Sequence, residues 1–447
     1  MYRPLSVLVV VSTVAAFAAA VTPQADQIPV GWYASHMKPI GYSALDGRGG
    51  AFKMSIKRAG DRWYLYVAQL WTPGWTILDV TDPANPTVAN FIKGPENTAA
   101  VQIDVHDNIM ITGLQAAPPS WGGDPKKPHQ EGVLIWDVSD PVHPKQLSHW
   151  ETGAGGTHRN GYPGGRYANL AASLPGFRGL SLAFLDITDP ANPQLAGHWW
   201  MPGQKVGEEP ARTDLVFHGP ATMTADGKKA YLGYGDSIVI LDTADVAQPK
   251  LIGQLRVRPP FDEEIPAHDV TLIPGRNLLF VHAETTDEGD EVGGPTGCNQ
   301  ALSLAGLVDI SNETKPKLIS MLPVPMPPAG VPYTSFCDRG GRFGPHNTNL
   351  LQHNPDVEKQ ADLIYLSYFT AGLRIFDIKD SHVPKEVGWF LPPTPTKRYG
   401  PVPADRLQSS TEDVLVDTRG NIYITDKQWG VFILKYTGNG EPAPTAR

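Results

Sequence analysis

Four of the chain's histidines stand where an extended segment begins. His158 precedes Arg159-Asn160-Gly161, His218 precedes Gly219-Pro220, His268 precedes Asp269 and an apolar run to Ile273, and His346 precedes Asn347-Thr348-Asn349. A neutral imidazole offers a lone pair that suits Fe(II), Cu(II), Zn(II) or Mn(II). Brought to one point, the four would hold a divalent transition metal, with Fe(II) favoured, and would leave positions open for a small-molecule substrate or O₂. Carboxylates near such a centre hold a ligand histidine by its second nitrogen. A single histidine at the start of a strand is ordinarily a turn or packing residue. A metal centre therefore requires that the chain place these four at equivalent positions.

An internal repeat does so. An apolar strand ending in Asp recurs as Ile77-Leu78-Asp79, Leu134-Ile135-Trp136-Asp137, Phe184-Leu185-Asp186, Val239-Ile240-Leu241-Asp242, Leu307-Val308-Asp309 and Arg374-Ile375-Phe376-Asp377. Seven residues after each Asp stands a proline: Pro86, Pro144, Pro193, Pro249, Pro316 and Pro384. A seventh copy, Val431-Phe432-Ile433-Leu434, has Lys435 in place of the Asp. The Asp accepts local N–H groups in a turn, and the proline, which has no N–H, begins an outer edge strand. Two strands precede each motif, most clearly in the fifth repeat, where His268–Ile273 and Leu278–Ala283 flank Pro274-Gly275-Arg276-Asn277. Repeats of this length with many short strands imply a propeller or a solenoid. The chain is expected to be an all-β, seven-bladed β-propeller of four-stranded antiparallel blades.

The seventh repeat stops after its third strand. Lys38-Pro39-Ile40-Gly41-Tyr42 matches Lys250-Leu251-Ile252-Gly253, so the N-terminal segment is expected to supply the missing outer strand and close the ring. An open solenoid, the alternative, has no use for a split repeat. These strand–Asp–turn–Pro units resemble the LVIVD-repeat family, over about residues 36 to 436. The resemblance implies an exported or surface propeller and no single activity.

With the repeats overlaid, Asn277 falls on Asn421, His268 on Glu412 and Asp269 on Asp413. Repeats 3 to 6 then open with His158, His218, His268 and His346. Repeat 7 opens with Glu412, and repeats 1 and 2 offer Gly50 and Ala99. The first strands of a propeller line its axis, so these starts face one another at one mouth of the channel. We expect His158, His218, His268 and His346 as metal ligands, with Arg159, Glu412 and Asp413 orienting substrate or ligands. The arrangement is loosely similar to the carotenoid cleavage oxygenases, propellers whose iron is held by four axial histidines. That similarity is one of architecture and ligand set, with no shared sequence motif.

The remaining signals bound the function. Charged residues are 19% and the net charge is −9, with no basic stripe, so nucleic acid is not an expected partner. No Ser-His-Asp signature, P-loop or dinucleotide fingerprint stands out. Residues 1–22 read as a signal peptide: a cationic start at Arg3, an apolar run from Leu5 to Val21, and small residues at Ala18, Ala19 and Ala20. Cleavage would leave no stable membrane span, and residues 23–447 would form the exported propeller, periplasmic or extracellular. Cys298 and Cys337 fall in connections that emerge on the face where first strands start, so a bridge between them is expected. Asp287, Glu288, Asp290 and Glu291 form an acidic loop without the EF-hand order. The function expected is an exported metal-dependent enzyme, with redox or oxygenase-type chemistry on a small apolar or aromatic substrate. The alternatives are a non-catalytic binding propeller and a metal-dependent lyase. No signal for oligomeric state stands out.

Overall fold

A computed structural model describes residues 25–438 except 213–214, 286–297, 299–301, 303, 352 and 404–405. The expected signal peptide and the acidic loop lie outside the described residues. Each Asp of the repeat ends a third strand: Gly74–Asp79, Gly132–Asp137, Ser181–Asp186, Ser237–Asp242, Ala305–Asp309 and Leu373–Asp377. In all six the carboxylate accepts the N–H two residues on, at 2.8 to 3.0 Å, as in Thr81 to Asp79 and Ser311 to Asp309. The chain then reverses into the outer strand after the proline.

The strands form antiparallel groups, inner to outer, as in Ala51–Ala59, Arg62–Gln69, Gly74–Asp79 and Thr87–Lys93 of blade 1. Five sheets have four strands. A nine-stranded sheet holds blades 2 and 3, which touch through the Gly156–Gln115 pair. The grouping is consistent with seven blades. Third strands are apolar on both faces because each blade is covered on both sides. Ile77 of blade 1 packs in a cluster with Met110 and Leu134 of blade 2, while Ile111 and Ile135 on the other face of blade 2 meet Leu170 and Leu185 of blade 3.

The ring is closed as the sequence implies. Met37–Ser43 pairs with Gly430–Tyr436, Pro39 opposite Leu434 and Tyr42 opposite Phe432, giving blade 7 its outer strand. Gly41 shows why this segment matches the internal outer strands. A Cβ there would sit 2.1 Å from the Pro83 carbonyl of the blade 1 turn, and one at Gly253 would sit 2.0 Å from the Glu313 carbonyl of the blade 5 turn. The outer strand of blade 4 leans on the next blade's turn too closely for a side chain, and the N-terminal strand does the same across the seam, whereas Asn90, Ser148 and Ser320 stand at this point in blades 1, 2 and 5 and donate to the turn.

Two first strands are less regular than the repeat implies. In blade 4 only Thr222–Met223 is strand, because Pro220 just before it has no N–H for the ladder. In blade 6 no regular strand surrounds His346. Asn347 instead donates to the Glu412 carbonyl at 2.8 Å, the kind of side-chain bond that competes with a ladder. Blade 6 gains an unexpected strand on its outer edge, where Tyr33–Ser35 pairs with Lys385–Leu391.

A second surprise comes after His346 in the chain. The segment 353–358 crosses to the far ends of the first strands of blades 7, 1 and 2. Asn354 donates to the carbonyls of Ile56 and Val105, the latter at 2.8 Å, Asp356 accepts from Arg58 N–H at 2.7 Å, and Glu358 N–H donates to Val416. This strap lies opposite the end where the histidines sit.

Candidate metal centre

The histidines are aimed by β-bulges. The pairing of Gly156–Gly161 with its neighbour steps from Thr157–Ala172 to Arg159–Ala171, so His158 has no partner across the ladder. The register also shifts between Ile265 and Asp269, around His268, between Thr411 and Asp413, around Glu412, and between Ala51 and Met54, around Phe52 and Lys53. An extra residue in one strand bends it and re-aims the side chain. A bulge at this point therefore recurs in blades 3, 5, 7 and 1, and its residue points toward the axis. The overlay that equates His268 with Glu412 holds in the backbone.

The four rings come together as an arc. Centroids are 4.3 Å apart for His158 and His218, 4.3 Å for His218 and His268, and 5.2 Å for His268 and His346. Glu284 sits inside the arc. Its carboxylate lies 2.8 Å from His268 Nε2, 3.6 Å from His218 Nε2 and 3.6 Å from His346 Nε2. His218, His268 and Glu284 present one ligand atom each, all within 4.8 Å of one another. His158 Nε2 is 2.9 Å from His218 Nε2. Ligand bonds of about 2.0–2.2 Å separate neighbouring ligand atoms by about 2.9–3.4 Å, close to these spacings. The compact group is thus two histidines and a carboxylate, with His158 and His346 at its ends.

Burial sets the protonation. It pushes His158 down to about 3, helped by the Arg159 cation, and holds His218 and His346 well below the ordinary imidazole range. Their lone pairs are free of protons at neutral pH. Burial alone would raise Glu284, but His268 and Arg342 beside it hold the carboxylate well below its ordinary range. His268 Nε2 faces both the Glu284 oxygen at 2.8 Å and Arg159 Nη2 at 2.8 Å. One nitrogen cannot donate to the first and accept from the second. A cation between His268, His218 and Glu284 would take the Nε2 lone pair of His268 and an oxygen of Glu284, replacing their direct contact. The residues present fit a divalent transition metal.

The other expected residues separate. Arg159 is 1% exposed and enters the arc, its Nη2 also 3.1 Å from His346 Nε2 and its Nη1 3.2 Å from Asp269. Glu412 stands behind His346, whose Nδ1 is 2.7 Å from the Glu412 carbonyl oxygen and 3.3 Å from its carboxylate. Asp413 points away from the histidines. It accepts from Lys53 Nζ at 2.9 Å and from Met54 N–H at 3.0 Å, tying blade 7 to blade 1. This alternation, Glu412 to one side and Asp413 to the other, is ordinary strand geometry.

Sequence reasoning missed Glu284 because it sits on the second strand of its blade. The signal available was its place two residues after His282, on the same face of Leu278–Glu284. His282 itself lies 3.5 Å from Asp269, which is 3.1 Å from His268 Nδ1. Blades 1 and 2 are not the uncharged side expected from Gly50 and Ala99, since Lys53 and Asp104 are buried there. A cavity of about 200 Å³ opens onto the arc, with Phe52, Trp121, His158, His218, Glu284 and Arg342 in its lining. The Cys298–Cys337 bridge forms, and among the described residues no helix is long and apolar enough to cross a membrane.

Comparison with known proteins gives the fold a context. The LVIVD repeat model matches residues 55–91. No curated protein matches the chain. Among solved structures, the β-propeller domain of Myceliophteria thermophila Swd1 aligns at a TM-score of 0.54 and 11% identity, covering 90% of this chain and 99% of that one. The periplasmic gluconolactonase of Pseudomonas aeruginosa aligns at 0.50 and 10% identity, covering 92% and 98%. A Lactobacillus plantarum protein aligns at 0.50 and 11%, covering 87% and 96%. At such identities the likeness is one of fold. With that repeat matched in sequence and its sheets matched in space, the chain is a β-propeller that carries an LVIVD repeat at residues 55–91.

Proposed function

We propose that this propeller is an exported metal-dependent enzyme, with a divalent transition metal, Fe(II) favoured, held by His218, His268 and Glu284 and flanked by His158 and His346. The observation that carries the reading is the buried group of two imidazoles and a carboxylate at the mouth of the channel. Such a metal would supply Lewis acidity or O₂ activation. The chain's own residues do the rest. Asp269 faces His268 Nδ1 and keeps the ring oriented with Nε2 inward, and Glu412 does the same for His346. Arg159 presents a cation to the reacting side, Phe52 and Trp121 exclude water and give an apolar body a surface, and Asp413 is a joint between blades. A redox reaction on a small apolar or aromatic molecule suits this wall. Export is supported by the leader pattern in the sequence and by the disulfide, which persists in oxidising compartments.

A non-catalytic binding propeller is favoured by one observation: the acids at the channel mouth have cationic partners without any metal. Metal analysis of protein purified without chelators separates the two. About one metal per chain is expected from a single such site. No stoichiometric metal, even after refilling with Fe(II), Cu(II), Mn(II) and Zn(II), overturns the enzyme reading. Turnover that persists without O₂ would replace the redox reaction by a lyase reaction.

A further inference from the structure

Four ion pairs surround the channel mouth: Arg159 with Asp269 at 3.2 Å, Arg342 with Glu284, Lys427 with Glu412 at 3.4 Å, and Lys53 with Asp413 at 2.9 Å. All eight side chains are under one-tenth exposed. Their charges sum to zero. Asp104 and Asp426, the further acids buried behind them, are pushed up to about 7 by burial and add little negative charge below that pH. A divalent cation at His218, His268 and Glu284 would therefore bring two positive charges into a region of low dielectric with no spare carboxylate among the described residues to meet them. Uncompensated charge in such a place is costly, so an anionic ligand would be favoured there.

The cavity describes the shape of that ligand. Its volume of about 200 Å³ equals about seven waters at about 30 Å³ each, room for one ring and a short polar group. The lining is part apolar, with Phe52 and Trp121 rings 5.9 Å apart and Phe52 edge-on to His346 at 5.7 Å, and part polar, with the imidazoles and the two arginines. We infer that the cavity takes a compact organic anion, a carboxylate on an apolar body of about one ring. Its charged end would lie toward the metal, Arg159 and Arg342, and its body against Phe52 and Trp121. This ligand class rests on the proposed metal centre.

Benzoate and its neutral isostere benzamide test it, by titration calorimetry on the full exported chain with metal content measured on the same samples. We expect benzoate to bind the metal-loaded protein at least about tenfold more tightly than benzamide, about 1.4 kcal/mol. Stripping the metal should remove that preference, and Trp121→Ala should weaken both ligands alike. Equal binding of the two by protein holding one metal per chain overturns the anion inference and leaves the metal reading standing, and so does failure of both to bind. Protein that takes up no metal overturns both.

Discussion

Blades 3 to 6 and blades 7, 1 and 2 use the same point of the first strand for opposite ends. On the first side it carries imidazoles whose valences are partly unspent: His218 Nδ1 has no hydrogen-bond partner among the described residues, and His158 and His218 face each other nitrogen to nitrogen. On the other side the same bulge carries Phe52 and Lys53, and Lys53 and the Met54 N–H both donate to Asp413. Asn354 adds a latch from the strap to blades 1 and 2. The backbone device is generic, and residue type decides its use. Imidazole rings around a carboxylate offer ligand atoms, whereas Lys53 and Asp413 close a seam. The seam is where the ring needs closing, since blade 7 is completed there by the N-terminal strand.

Substitutions on the two sides should therefore separate metal binding from stability. The largest effect is expected at the histidine arc. Glu284→Gln or His218→Ala should abolish stoichiometric metal, read by elemental analysis, while Asp413→Asn retains it. Metal loss in all three would dissolve the distinction. At the seam, Asp413→Ala leaves Lys53 buried without its partner and should cost about 3–5 kcal/mol in denaturant unfolding. The double change Lys53→Met with Asp413→Leu should recover most of that cost, and no recovery would mean that packing rather than charge governs the joint. Asn354→Ala strips a donor from two buried carbonyls and is expected to cost about 2 kcal/mol, with metal content unchanged.

A further effect is one of pH. Burial raises Asp104 to about 7 in the folded chain, from an ordinary value of 3.8. A group whose pKa is raised on folding contributes stability that is complete below its unfolded pKa and is lost as pH rises through the folded one. Asp104→Asn should remove this loss, so its melting temperature relative to the parent should climb between pH 4 and pH 8. A difference flat with pH would place the proton elsewhere, on Asp426 or Glu263, which burial also raises to about 7.

Much of this was legible in the chain because repeats copy local physics. The Asp turns, the proline-led outer strands, the clasp by Lys38–Tyr42 and the equivalence of His268 with Glu412 each depend on a few neighbouring residues seen several times over. The Cys298–Cys337 bridge followed from topology. The site was legible only in outline. Glu284 lies on a second strand and reaches the histidines of three blades, and Asp413 looked like a partner of the site until its side chain was seen to turn toward Lys53. The irregular first strands of blades 4 and 6 come from Pro220 and from Asn347, single residues that the repeat average hides.

What the sequence determined by itself is the unit: strand order, turn chemistry and which residue stands at the start of each first strand. These are short-range matters of hydrogen bonding and apolar alternation, and they repeat. Only the tertiary structure decided which of those residues meet. Convergence of His158, His218, His268, His346, Glu284 and Arg159 depends on bulges and on the angle between blades, which bring together side chains up to 188 residues apart, as Arg159 and Asn347 show. Charge balance at the channel mouth is a property of that meeting and belongs to no single repeat.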